Sequence, residues 1–418
     1  MPRVLLLLPT NTYRTHDFMV AARKLGVDVV VVSEQASTME SREPGSLFTV
    51  DFLDPDSAAE KARSFYREYP FEAVVSVDED TAVVAAAISQ AVGLAHNSPQ
   101  AATATRLKHV MREMLSRAEV LVPAHRLFAI ADDAEDLASR VDYPCVLKPV
   151  FLAASRGVMR ANGEREFVSA FERLRAILGD RDLARRGGPL ARQVLVEDYV
   201  SGVEVALEGV MTGGELKVLA LFDKPDPLEG PFFEETIYVT PSRLPEERQS
   251  EITATTAKAA AALGLREGPV HSELRLNSKG VWVIEIAGRS IGGLCSRSLK
   301  FGVGLSLEEL LLRHALGMEV STLYRESAAS GVMMIPIPQA GVLKGVRGVR
   351  EAEAVAGVQD VTITSHLGKV LVPLPEGSSY LGFIFASGET PATVESALRE
   401  AAACLDFVIS PPSEGEQD

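Results

Sequence analysis

The sequence predicts an α/β protein of two or three domains, and three observations carry this. The chain has 418 residues, more than a single hydrophobic core usually organises. Residues 1–97 alternate short apolar runs with helical periodicity, which implies a parallel sheet with helices on its faces. From about residue 330 the texture changes to strand-like runs punctuated by glycine and proline, which reads as a smaller α+β unit.

In order, the first strands are Val4–Leu8, Val27–Val32, Leu47–Val50 and Ala73–Val77, with helices near 16–25, 56–68 and 80–92 between them. The turn after the first strand lacks Gly-x-Gly-x-x-Gly, so a dinucleotide fingerprint is absent. Asp78-Glu79-Asp80 follows a strand's carboxyl end, where open α/β sheets bind ligands; acids there also suit a helix N-terminus. Ser98-Pro99 caps a helix whose apolar face runs through Leu107, Val110, Met111, Met114 and Leu115. Lys108 lies just off that face, where a solvated lysine is the ordinary reading.

A helix near 132–140 precedes the apolar strand Cys145–Val150, which embeds Lys148. Lysine is rarely buried unless it is paired or binds an anion. The loop Phe151–Val158 is rich in small residues, and its amides with Ser155 and Arg156 could wrap phosphate oxygens. Helix 164–178 leads to a charged loop near 179–190 that is expected to be mobile. Glu197 ends a strand, and Glu204 follows across a turn containing Gly202. Strands 205–211 and 216–222 come next. Residues 223–243, with prolines at 225, 227, 231 and 241, read as one long loop covering a site.

After helix 247–263, residues 270–287 form a hairpin around Asn277-Ser278-Lys279-Gly280. Its apolar pattern is interrupted by Glu273 and Glu285, which can face each other across the two strands. Gly288, Arg289, Gly292 and Gly293 follow. Two readings stand at this point: a metal–phosphate site, or a structural salt bridge from Arg289. Ser306 and Glu309 form a capping box for helix 307–316, which stops at Gly317. Later strands are expected at 332–337, 358–363, 369–373 and 381–386, with helices at 350–355 and 391–403. The acidic tail Ser410–Asp418 reads as disordered.

A net charge of -15 disfavours nucleic acid and anionic membrane as partners, since both need a positive face. The three cysteines, Cys145, Cys295 and Cys404, form no Cys-x-x-Cys pair, so neither a zinc site nor a disulfide framework is indicated. A reducing cytoplasm fits that usage. The apolar run Val4–Leu8 is too short for a signal-peptide core or a membrane span.

The ordered set of Lys108, Lys148, the 155–157 loop, Glu197, Glu204, Glu273, Glu285 and Arg289 resembles the ATP-grasp superfamily of carboxylate–amine (or thiol) ligases. Its most specific pieces are Val146-Leu147-Lys148-Pro149, Ser155-Arg156-Gly157-Val158, Glu197 with Glu204, and Glu285-Ile286-Ala287-Gly288-Arg289. Val332–Pro336, Tyr380–Ile384 and Gly268–Glu273 resemble the L-amino-acid ligase branch. The resemblance implies an ATP-grasp fold: an N-terminal parallel α/β domain (1–103), a two-lobed nucleotide-binding domain (104–318, lid lobe about 120–196), and a small α+β domain (319–409) before the tail at 410–418.

It also implies roles. Lys108 and Lys148 would neutralise the α- and β-phosphates, and Ser155, Arg156 and Gly157 would close over the β/γ-phosphates. Glu197 would accept from the adenine amino group, with backbone at Asp198 and Val200 reading the ring edge and Glu204 taking the ribose hydroxyls. Glu273 and Glu285 would hold magnesium, or manganese in its place. Arg289 would stabilise a tetrahedral intermediate, and His271 would contact substrate, act as a base, or be a hydrogen-bonded core residue. Lys224, Gly292 and Gly293 would meet the substrates, a small carboxylic acid and an amine. The fold often dimerises in the families it resembles, which leaves a homodimer open.

One position departs from the pattern: where the superfamily usually has an asparagine metal ligand, this chain has Ala287. The reading is therefore an ATP-dependent ligase forming an amide or dipeptide bond. A carboxylase acting on bicarbonate and a catalytically weak nucleotide-binding regulator are the alternatives.

Overall fold

A computed structural model describes residues 1–10, 12–35, 45–302, 304–320 and 322–411. Strands Arg3–Leu7, Asp28–Ser33, Leu47–Thr49 and Ala73–Ser76 form a parallel sheet with the first strand between the second and fourth. The apolar run of the first strand is buried on both faces, as a central parallel strand requires. Val4 and Leu6 share a core with Phe18 of helix Thr15–Leu25, whereas Leu5 and Leu7 pack with Ala58, Ala62, Val84 and Ile88 of helices Pro55–Glu68 and Ala82–Val92. The Phe18 side also takes in Leu307–Leu312, Phe222 and Phe383, so the rest of the chain closes that face.

Strands His125–Ala129, Gln193–Asp198, Cys145–Pro149 and Met159–Ala161 make a separate antiparallel sheet, in that order. Helix Glu164–Leu178 covers it through Phe167, Phe171 and Leu174.

The third sheet has eight strands, ordered Gly280–Ala287, Gly268–Asn277, Val203–Thr212, Glu215–Asp223, Ile237–Thr240, Ala329–Ile335, Gly382–Gly388 and Val358–Ile363. It runs without a break across the boundary expected at 318/319, because Ile237–Thr240 pairs with Ala329–Ile335. A small sheet of Gly341–Arg347, Val370–Leu371 and Asp406–Ser410 lies beyond it.

Four local expectations change. The long loop 223–243 contains the strand Ile237–Thr240, whose alternate β-branched residues are all buried. The charged segment near 179–190 carries helix Arg181–Gly187, capped by Asp180 accepting from the amides of Asp182 and Leu183. The helix starting at Pro99 breaks at Leu107, which is extended, so Lys108 opens a second helix, Lys108–Arg117. Ser410 ends a strand; residues 412–418 of the expected tail lie outside the described residues. The capping box at Ser306 and Glu309 is present. No helix among the described residues is long and apolar enough to cross a membrane.

Candidate active site

Between the antiparallel lobe and the eight-stranded sheet lies a partly open cavity. Nine of the residues singled out from sequence line it: Lys108, Lys148, Ser155, Glu197, Asp198, Val200, Glu204, Glu273 and Glu285. Lys108, Lys148 and Arg275 thus share one space with a set of carboxylates, walled by Val146, Leu152, Val158, Leu228, Phe233 and Ile284. Polar groups converging in an apolar cleft are the usual form of a small-molecule site.

Lys148 is buried because its strand is central in the lobe, and its Nζ lies 2.7 Å from Glu197. Glu197 also receives two bonds from Arg112, at 2.7 and 3.3 Å, and Arg112 donates a third to the Ile284 carbonyl at 2.6 Å. Burial alone would raise the Glu197 carboxyl, but Arg112 and Lys148 outweigh it and hold it at about 2. Lys148 itself is drawn down, chiefly by burial, with Arg112 and Lys108 adding repulsion and Glu197 opposing it. Glu197 is therefore an anchor for two cations at the wall of the cavity.

The hairpin places Glu273 directly opposite Glu285. Lys108 reaches across to it: its Nζ donates to the Leu152 carbonyl at 2.7 Å and stands 3.5 Å from Glu285. Two facing carboxylates in a cleft with lysines offer the hard oxygen ligands that magnesium takes. Glu204 pairs with Arg275 at 2.6 Å and with Lys224 at 2.8 Å. Lys224, expected at the substrate, is instead enclosed by Glu204, Glu235 and Glu273 and does not line the cavity. Burial would lower the Lys224 ammonium, but these carboxylates raise it well above the ordinary lysine value.

Past the end of the hairpin, Arg289 forms an ion pair with Glu79 at 2.9 Å. Glu79 comes from the acidic turn of the N-terminal unit, and neither of its buried oxygens accepts a hydrogen bond. Burial raises its carboxyl, with Arg289 opposing. His271 donates from Nδ1 to Glu208 at 3.1 Å, and its Nε2 lies 3.7 Å from Glu273. Burial lowers the imidazole, but Glu208 and Glu273 outweigh it and push it up to about 9. Ala287 is buried opposite His271 and carries no ligand atom. Gly292 borders open space, whereas a Cβ at Gly293 would meet Phe383 at 3.1 Å. Arg14, buried, donates to Ser290 at 2.7 Å and pairs with Glu308 at 3.0 Å, which fixes the N-terminal unit against this turn.

The small-residue loop holds Ala154 and Ser155 at φ of 54°, a left-handed conformation that clusters at ligand clamps. Arg156 does not point into the cavity. It donates to the Glu376 carbonyl at 2.7 Å, and the Gly157 amide donates to the Pro375 carbonyl at 2.8 Å. Arg173 grips Glu376 with two bonds, at 2.6 and 2.8 Å. The loop is thus tied to the C-terminal unit.

Sequence reasoning missed Arg112, Arg275, Glu235 and, as an Arg289 partner, Glu79. In sequence Arg275 alternates with the apolar Leu274 and Leu276, yet it is 4% exposed and bridges Glu204 to the Val200 carbonyl at 2.7 Å. The signal that was available for Glu79 was its position past a strand's carboxyl end.

Comparison with known proteins agrees with this geometry. A family model for the ATP-grasp domain matches residues 141–298, one for the ATP-grasp N-terminal domain matches 19–96, and one for the L-amino acid ligase C-terminal domain 2 matches 333–410. The chain carries the domains of an ATP-grasp ligase, in their order along the sequence, which is the class of general carboxylate–amine ligase chemistry. Within that class it resembles the L-amino-acid ligase branch. The crystal structure of L-amino acid ligase from Bacillus licheniformis shares its fold, with a TM-score of 0.78 at 24% identity over 98% of this chain and 99% of that one. The uncharacterized protein y4rH of Sinorhizobium fredii is 23% identical over 99% of this chain and 84% of its own length. The alanine–anticapsin ligase of Bacillus subtilis is 29% identical over 53% of this chain, a match that spans about half (49%) of that protein.

Proposed function

We propose that the chain joins a small carboxylic acid, such as an amino acid, to an amine through an acylphosphate, releasing ADP and phosphate. The observation that carries this is one cavity in which Lys108 and Lys148 face the opposed pair Glu273 and Glu285. Phosphoryl transfer needs positioning and charge neutralisation more than covalent help from the protein. Lys108 and Lys148 would hold phosphate oxygens, backbone at Asp198 and Val200 would meet the adenine edge, and Glu204 would accept from the ribose on its remaining lone pairs. Ser155 would contact the terminal phosphates. Glu273 and Glu285 would hold a magnesium ion, which supplies charge neutralisation at the phosphates when bound.

A substrate carboxylate oxygen forms a bond to the γ-phosphorus, and the bond to the ADP oxygen breaks. The amine lone pair then attacks the acyl carbon, phosphate leaves with the former carboxylate oxygen, and the nitrogen loses a proton. Arg289 would stabilise the negative oxygen of the tetrahedral state. Glu79 beside Arg289 gives an anion and a cation side by side, which matches the ammonium and carboxylate of an amino acid. His271, charged, would face an anionic substrate group. The alanine–anticapsin ligase and the dapdiamide A synthase of Enterobacter agglomerans, by their names, make bonds of this kind, which supports the reading.

The test is phosphate release across the twenty amino acids, singly and in pairs, with magnesium and ATP. A pair-dependent release of ADP and phosphate is expected. AMP and pyrophosphate would refute the acylphosphate, and turnover dependent on bicarbonate alone would make the chain a carboxylase. The buried Ala287 favours one other reading, a nucleotide-binding regulator; tight ATP binding without release for any pair would select it.

A further inference from the structure

Beside the nucleotide cavity, Glu204, Glu235 and Glu273 each bring one oxygen to within 4.8 Å of the others. Alone, that convergence would attract a divalent ion. The Lys224 ammonium already stands among them. It lies 2.8 Å from Glu204 and 3.6 Å from Glu273, and it pairs directly with Glu235. Its side chain is 3% exposed and lies over the Tyr238 ring, 5.1 Å from the centroid. The Lys224 amide donates to the Glu204 carbonyl at 3.4 Å, which tethers the residue at the end of strand Glu215–Asp223.

Charge around the cavity is nearly balanced as a result. Glu204, Glu235, Glu273 and Glu285 face Lys224, Arg275 on Glu204, and Lys108 beside Glu285. Without Lys224, three largely enclosed carboxylates would converge with only Arg275 on Glu204 and His271 beside Glu273 to offset them, which is costly where water is partly excluded. Position 287 offers no oxygen for a second metal, and it lies toward His271 along the strand, whereas Lys224 lies toward Glu204 on the other side of Glu273.

We propose that Lys224 is a built-in cation that fills the Glu204–Glu235–Glu273 site in place of a second metal ion and holds Glu273 in position for the single metal the cavity takes. This deepens the ligase reading and rests on its assignment of Glu273 and Glu285 as the metal pair. Lys224 acts as a positioning residue, since it meets the metal only through Glu273.

The experiment counts Mn²⁺ by electron paramagnetic resonance on the full chain with a non-hydrolysable ATP analogue. The native chain is expected to bind one Mn²⁺ and Lys224→Met to bind two, a gain that a merely structural lysine would not produce. Glu235→Gln added to Lys224→Met should return the count to one. Two ions on the native chain, or one on folded Lys224→Met, would overturn the inference while leaving the ligase reading intact. No ion on the native chain would overturn both. Where Lys224→Met fails to fold, Lys224→Gln, which keeps a hydrogen-bond donor among the three carboxylates, carries the same count: two ions are expected, and one on the folded variant would overturn the inference.

Discussion

Replacing Arg112 by methionine tests how the lobe is fastened to the hairpin. Arg112 is fully buried; it binds both oxygens of Glu197 and the carbonyl of Ile284. Glu197 sits at about 2 instead of the ordinary 4.5. That difference, shared between Arg112 and Lys148, corresponds to roughly 3 kcal/mol of stability at neutral pH. Breaking a buried pair by removing one partner costs about 3–5 kcal/mol, so the two routes agree in scale. The sign follows from the lowered carboxyl. The stabilisation is full above the unfolded value of 4.5 and is lost as pH falls toward about 2. Roughly 2 kcal/mol of it should be gone by pH 3. Trp282, the one tryptophan in the sequence, lies on the hairpin strand two residues before Ile284 and reports urea unfolding by fluorescence. Arg112→Met should cost about 3–5 kcal/mol at pH 7 and clearly less at pH 3. A penalty below about 1 kcal/mol, or one unchanged between the two pH values, would refute the anchor reasoning.

Four further outcomes are expected. Glu285→Gln should abolish turnover while circular dichroism and unfolding stay native; unchanged activity would remove Glu285 from the metal pair. Glu376→Ala breaks an exposed bidentate pair with Arg173, so stability should move by less than about 1 kcal/mol. The loop carrying Ser155 is held by the Glu376 backbone carbonyl, which Glu376→Ala keeps; Arg156→Ala removes the donor to it and should raise KM for ATP several-fold, and an unchanged KM for Arg156→Ala would show that the tether does not matter. Arg275→Lys keeps the charge on Glu204 but loses the fork that also reaches the Val200 and Leu228 carbonyls. Equilibrium binding of ADP should weaken about tenfold, roughly 1.4 kcal/mol, and native affinity would mean those bonds do not shape the nucleotide wall.

Much of the fold is legible because its elements are local. The four parallel strands follow from apolar runs, and the hairpin follows from its turn residues and from Glu273 and Glu285 breaking an apolar pattern. The pairing of Arg112 with Glu197 is not local: 85 residues separate them. Periodicity assigns a charged residue to solvent unless its partner is known, so nothing local marks Arg112 or Arg275 as part of the site. Lys224, placed at the substrate by resemblance, differs for a related reason: Glu235 and Glu273 close around it only in three dimensions. The strand Ile237–Thr240 was hidden among prolines, and its partner is nearly a hundred residues away.

The sequence by itself determined the class of the protein and the order of its parts. Carboxylates and lysines embedded in apolar strands stand out against the pattern that burial imposes, and burial must compensate them somehow. Only the tertiary structure decided what compensates each one. It set Glu197 between Arg112 and Lys148, turned Arg156 away toward Glu376, brought Glu79 to Arg289, and closed three carboxylates around Lys224. A charge declares its need for a partner through local sequence, but the partner is chosen by the folding of distant strands into one sheet.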